Sequence, residues 1–252
     1  MLLSTNGLII RQQNIGEADR VVSVLTQDRG VIRAFANGAR RVKNKNMAAT
    51  SLFSYSRLTL YHGRDKYTIN DAESIQVFFD LRRDVERLAL GQYFCELCLC
   101  LAPQEEEAEA FLRLTLNCLH LLCAGKRPLP QIKATYELRM LGMAGYMPDL
   151  VACSECGAYE SEGMFLSLLD GTLRCVRCQE QNPVSPALAL NKSVLAAMRH
   201  ILYADQKKVF SFTLPDGAMK SLGRSVERFL LSQLDRSFQT LTFYHTLSMD
   251  PE

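Results

Sequence analysis

Cys153-Ser154-Glu155-Cys156 and Cys175-Val176-Arg177-Cys178 stand eighteen residues apart. A Cys-x-x-Cys turn aims both sulfurs at one ion, and two such pairs at this separation have the spacing of a four-cysteine zinc site. The intervening chain must then fold back on itself. Phe165 to Leu169 runs into Asp170-Gly171 and returns through Thr172-Leu173-Arg174, which reads as a hairpin bringing the two knuckles together. Gly157 follows the first pair, where a tight knuckle needs positive φ. Four thiolates fill zinc's coordination shell and leave no place for a reactive water. The expectation is therefore one structural Zn²⁺ per chain on Cys153, Cys156, Cys175 and Cys178. Free thiols or a redox pair are the weaker reading of the same residues. Cys95, Cys98, Cys100, Cys118 and Cys123 fall in apolar helical runs and read as buried small hydrophobes.

Nine cysteines and an N-terminus without a basic n-region point to a reducing, cytoplasmic setting. No membrane association is expected. The most apolar run, Leu88 to Ala102, is broken by Glu96 and falls short of the ~18 residues of a span. At 48% hydrophobic and 22% charged residues, the chain has the composition of a packed globular protein.

The first 78 residues read as β-structure. Gly7–Ile15, Val21–Thr26, Val31–Phe35, Phe53–Tyr61 and Lys66–Ile69 are rich in β-branched or aromatic residues. They are separated by turn signals such as Asp28-Arg29-Gly30 and Asn37-Gly38. Phe53 to Tyr61 alternates imperfectly, which suggests a bulge or a strand with two working faces. Five short strands with no helical pattern among them suggest a small closed barrel of the OB type, although periodicity also fits an SH3-like barrel. After Phe79 the spacing becomes helical. Leu81 to Leu101, Glu105 to Cys123, Gln131 to Met143, Asn191 to Tyr203 and a segment opening at Pro215-Asp216 are the predicted helices. The expected architecture is α+β, with an OB-type domain over 1–78. A helical domain follows over 79–252 and carries the zinc insert at 151–180.

Charge is unevenly spread. Residues 1–78 hold eleven Lys/Arg against six Asp/Glu, and Arg29 to Arg64 contains eight cations and no carboxylate. Such a stretch keeps a positive field that favours a polyanion. Arg40, Arg41, Lys43 and Lys45 crowd the segment after Asn37-Gly38, where cations can reach successive phosphates. Arg33 and Arg57 lie on adjoining strands, and Tyr55 and Tyr61 can offer stacking faces. Phe35 and Phe53 read as core. No phosphate-loop, dinucleotide, zinc-protease or nucleophile-elbow motif occurs. His62, His120, His200 and His245 are scattered, and His120 reads as a core residue. A non-enzymatic nucleic-acid-binding protein is the reading that these residues support.

With these segments in place, the chain resembles the bacterial recombination mediator family RecO over nearly its whole length. The resemblance rests on Gly16-Glu17-Ala18-Asp19, Asp28-Arg29-Gly30, Gly38-Ala39-Arg40-Arg41, Leu52-Phe53 and Asp71-Ala72-Glu73. It continues through Tyr136 to Gly142 and Gly145-Tyr146-Met147-Pro148-Asp149-Leu150, directly before the first knuckle, and Phe238 to Leu247 resembles the tail of low-GC Gram-positive members. It implies an OB fold, a helical domain and, in many members, zinc. It further implies binding of single- and double-stranded DNA and annealing of complementary strands. RecR is the implied partner in loading RecA onto DNA coated by single-stranded-DNA-binding protein (SSB), at the nucleoid. The family also implies capture of the acidic, phenylalanine-ending SSB tail by the helical domain. Lys133, Tyr136 and Met140, at i, i+3 and i+7 below Lys126 and Arg127, are the candidate slot on one helix face. The alternative is a zinc-containing OB-fold RNA-binding protein without mediator activity.

Overall fold

The computed structural model describes residues 1–41, 44–64 and 66–248. Its chain forms two compact units, Met1–Gly125 with the segment from Phe238 onward, and Lys126–Ser237. The division differs from the 78/79 boundary expected from the change in periodicity. Residues 85–101 and 109–124 are helical, as their spacing indicates, but they belong with the barrel.

In the first unit, strands β1 (Leu2–Ile15), β2 (Asp19–Thr26), β3 (Gly30–Ala36), β4 (Ser54–His62) and β5 (Tyr67–Val77) close in the order β1-β2-β3-β5-β4. β1 is long enough to pair with both β2 and β4, and β3 meets β5 in parallel, which is how five strands close without an edge. The β4–β5 pairing has two register shifts, but in both the extra residue, Ile75 or Asn70, lies on β5. β4 itself alternates regularly between buried and more exposed positions, so the bulges fall on the partner of the strand expected to carry one. Ile9, Val22, Val24, Ile32, Leu58 and Leu60 fill the barrel. A four-residue helix that periodicity did not show, α1 (Asn46–Ala49), caps one end. Ser54 Oγ donates to Ala48 O at 2.7 Å and Ser56 Oγ to Ala49 O at 2.8 Å, so the buried hydroxyls of β4 are satisfied by the helix they hold.

Leu8, Ile10, Leu25 and Phe53 are also buried, although they are not part of the barrel's interior cluster. They are covered on the outside of the barrel, where α2 (Val85–Leu101) and α3 (Glu109–Ala124) pack on β1 and β2. Burial of each such side chain is worth about 1.5–3 kcal/mol. Phe53 adopts φ 66° and its ring meets Gly91 of α2. A 3-10 turn, Phe79–Arg83, and the Asp84 cap separate the barrel from α2, with Asp84 Oδ1 accepting from the amides of Glu86 and Arg87. α3 starts four residues later than its acidic run suggested, because Glu105 takes positive φ. Its buried face is Phe111, Leu112, Thr115, Cys118, Leu119 and Leu122, and His120, expected in the core, is exposed.

The second unit holds α4 (Leu129–Met143), β6 (Asp149–Cys153), β7 (Met164–Ser167), β8 (Thr172–Cys175), α5 (Val176–Gln181), β9 (Ala187–Leu190), α6 (Lys192–Tyr203) and α7 (Asp216–Leu234). The four strands form a sheet in the order β6-β8-β7-β9. The predicted hairpin is β7–β8; β6 and β9, not expected as strands from the sequence, extend it on either side. α8 (Gln239–Ser248) returns to the first unit, where Phe238 stacks edge-on to Tyr93 at 5.8 Å. Among the described residues, no helix is long and apolar enough to cross a membrane.

Candidate metal centre and nucleic-acid interface

The ends of β6 and β8 set the cysteine cluster. Cys153 closes β6, and Gly157, at φ 72°, turns the chain so that its amide donates to Cys153 O at 2.9 Å. Cys175 closes β8 and leads into α5, which carries Cys178. Parallel pairing of β6 with β8, together with the Ser154 amide donating to Leu173 O at 2.8 Å, brings the knuckles together. The four sulfurs lie within 4.8 Å of one another. Cys156 Sγ and Cys175 Sγ are 3.7 Å apart, against the roughly 3.8 Å edge of a tetrahedron with 2.3 Å zinc–sulfur bonds.

The electrostatics suit a cation. Burial would push the Cys153 thiol up, but amides of Cys156, Cys175 and Glu155 outweigh it and hold the group at about 6. Amide donation from Cys178 is the largest influence on Cys175 and lowers it. Cys178 is raised to about 12 by hydrogen bonds from its thiol to Cys175 and Cys156. The cluster thus shares protons where a metal ion would replace them. Arg174 braces the site from outside, its guanidinium 2.7 Å from Glu155 and donating to Asn182 O at 2.6 Å.

The described part of the basic segment after β3 turns tightly. The Gly38 amide donates to Asp19 Oδ1 at 2.7 Å, the Arg41 amide to Gly38 O at 3.0 Å and Asn44 Nδ2 to Gly38 O at 2.8 Å. Arg40 and Arg41 are exposed, with Arg40 Nη1 donating to Gly16 O at 2.9 Å. Lys45 is exposed but reaches Asp71 Oδ1 at 2.5 Å, and that ion pair pulls the Asp71 carboxyl below its usual range. Lys43 lies outside the described residues. Arg20 underlies the turn, and its spacing in the sequence does not distinguish it. The residue is 8% exposed, and its guanidinium Nη1 donates to Met47 O, Thr50 O, Thr50 Oγ1 and Ser51 Oγ at 3.0–3.3 Å. Burial first, and the nearby Arg40 charge second, depress its pKa. Arg20 thereby ties β2 to the α1 segment.

The outer barrel wall sorts the remaining candidates. Thr68 of β5 pairs with Phe35 of β3 on one side and with Tyr61 of β4 on the other, so the three form a cross-strand row. Tyr61 is 49% exposed, and Phe35, expected in the core, is only half-buried with the Lys66 ammonium 5.4 Å from its ring centroid. Arg33 is exposed on β3. Phe35 and Lys66 therefore join Arg33 and Tyr61, a grouping that only strand pairing reveals. Arg57 is exposed but lies 3.5 Å from Glu73. Tyr55 is half-buried and faces a crevice against α3. Phe53 is core, as expected.

The expected slot on α4 requires correction. Lys133, Tyr136 and Met140 are 4%, 0% and 0% exposed. Lys133 Nζ lies 2.7 Å from Glu137 and 2.6 Å from Glu227, so the cation meant for a peptide carboxylate is enclosed and already paired. α4 packs on its neighbours with nearly its whole circumference, because α7 and α6 both lie against it.

Comparison with known proteins bears on both sites. The family model described as recombination protein O N terminal matches residues 1–78, and that described as recombination protein O C terminal matches residues 82–242. The chain belongs to the recombination protein O family. Proteins named DNA repair protein RecO are among its relatives. One from Acetivibrio thermocellus is 32% identical over 97% of both chains, and one from Symbiobacterium thermophilum is 34% identical over 98% of both. One from Alkaliphilus metalliredigens is 29% identical over 94% of this chain and 95% of its own. The family's N-terminal model stops where β5 ends, so it spans the barrel and its basic turn. The span matched by the C-terminal model includes all four cysteines of this chain.

Proposed function

We propose that this protein is a DNA-binding recombination mediator in DNA repair. It binds single- and double-stranded DNA, anneals complementary strands and, with RecR, helps load RecA onto SSB-coated single strands in the cytoplasm, at the nucleoid. The observation that carries this reading is the pairing of two surfaces on one barrel. The exposed Arg40–Arg41 turn supplies cations, and the row of Phe35 and Tyr61 beside Arg33 and Lys66 supplies stacking faces. Cations that neutralise phosphates release counterions, and aromatic faces hold bases without selecting among them. Such a surface suits a protein that must handle any sequence. Its relatives' name, DNA repair protein RecO, agrees with this.

The four-cysteine cluster holds a structural Zn²⁺ in this reading. Its ligands would be Cys153, Cys156, Cys175 and Cys178, and an all-sulfur shell keeps no open position for chemistry. The protein therefore acts by binding rather than by catalysis. The SSB tail remains a proposed partner, docking elsewhere than on the enclosed Lys133, Tyr136 and Met140.

Annealing of complementary oligonucleotides coated with SSB tests the proposal. Adding the protein should speed duplex formation, RecR should modulate it, and RNA of equal length should bind less tightly. Annealing no faster than in its absence, with RNA preferred over DNA, would replace the mediator by an RNA-binding role.

A further inference from the structure

Tyr55 does not share the open wall of Tyr61. It stands beside a crevice of about 210 Å³, entirely within the first unit, between β4 and the exposed side of α3. Leu112 and Leu116 line it apolarly, and Gln27, Arg113 and Asn117 surround them. The three polar side chains are exposed, and none makes a hydrogen bond or ion pair among the described residues. The phenol of Tyr55 is equally uncommitted. Such a volume lies below the ~300–1,000 Å³ of pockets that enclose whole drug-sized ligands, and suits a single planar ring.

We propose that this crevice is a slot for one unpaired nucleobase of a bound single strand. The inference rests on the DNA-binding reading above and adds a site to it. The Tyr55 ring offers one face for stacking, and the two leucines offer an apolar contact for the rest of the ring. The amides of Gln27 and Asn117 each carry a donor and an acceptor, so they can meet the edge of any base. Arg113, one helical turn from Asn117 on α3, supplies a cation for the adjoining phosphate. Glu109 also lines the crevice and sets a limit. Its carboxylate repels phosphate but accepts hydrogen bonds from base N–H groups, so the base and not the backbone is what enters. A paired base has its edge occupied and its faces stacked, so duplex DNA is excluded from the slot.

The test uses the full-length, metal-retaining protein and a short thymidine oligonucleotide carrying one 5-iodouracil. Irradiation of the complex should attach the base to Tyr55. Tyr55→Ala should lower single-strand affinity about five- to a hundredfold while leaving the salt slope unchanged, and Tyr55→Phe should restore it. Duplex affinity should not move. Asn117→Trp, at an exposed helix position that tolerates a large side chain, should block the slot and lower affinity in the same way. Wild-type affinity in both Tyr55→Ala and Asn117→Trp, or adducts confined to residues outside the crevice, would overturn the slot and leave the basic-turn reading standing. Absence of any oligonucleotide binding by the wild-type protein would remove both.

Discussion

Lys133 and Arg20 are buried cations with opposite surroundings, and the difference decides what each can do. Burial alone would lower the Lys133 pKa, but Glu137 and Glu227 outweigh it and hold it above the ordinary lysine value of 10.5. A raised folded pKa supplies stability that is complete below that ordinary value and is lost as pH climbs through the raised one. Lys133 should therefore lose its charge, and its side of the pair, only in strong alkali. Lys133→Met leaves Glu137 buried without its cation and should cost about 3–5 kcal/mol in urea unfolding, with oligonucleotide affinity unchanged in protein that folds. Arg20, in contrast, donates to carbonyls and hydroxyls, four contacts that hold the α1 segment to β2. The local pattern of Lys133, Tyr136 and Met140 was legible as one helix face, but which way that face points depends on α6 and α7, far along the chain. Arg20 sits in a strand where alternation alone reads it as one more surface cation.

At the scale of elements, short-range chemistry was the most legible. The cysteine knuckles and the β7–β8 turn are each set within a few residues, and all appear where spacing places them. Cys175→Ser should reduce bound metal well below one ion per chain and destabilise the Lys126–Ser237 unit, measured by elemental analysis and thermal unfolding. Full metal occupancy in that variant would exclude Cys175 as a ligand. The β2–β3 turn shows the limit of such reading. Gly30 has φ +58°, and a Cβ there would lie 2.0 Å from Pro103 O, a carbonyl whose approach no local pattern announces. The Val31 amide donates to that same oxygen at 2.8 Å. Gly30→Ala should therefore lose about 1–3 kcal/mol to backbone strain, with the clash added, and unfold at lower urea. α1 escaped notice because four residues cannot show a period.

Across the whole molecule, the expected boundary at residue 78 follows a change of periodicity, whereas the compact units follow packing. Leu8, Ile10, Leu25 and Phe53 are sealed by helices beyond that boundary, so a 1–78 fragment exposes them. Such a fragment should aggregate or bind a hydrophobic dye, whereas the intact chain should not. Uneven charge was legible from composition, because it concerns only the count of cations in a stretch. Which of them remain available was not. Lys45 is 2.5 Å from Asp71 and Arg57 is 3.5 Å from Glu73, while Arg40 and Arg41 make no ion pair among the described residues. DNA binding by this barrel rests, in the proposed reading, on phosphate contacts made by Arg40 and Arg41. Titration of a labelled single strand at several salt concentrations, with wild-type protein and Arg40→Ala/Arg41→Ala, tests it directly. The double variant should bind more weakly at moderate salt and flatten the slope of log K against log [salt] by roughly 1.4. A variant with the wild-type slope and affinity would show that the turn is a solvated loop and that DNA binds elsewhere.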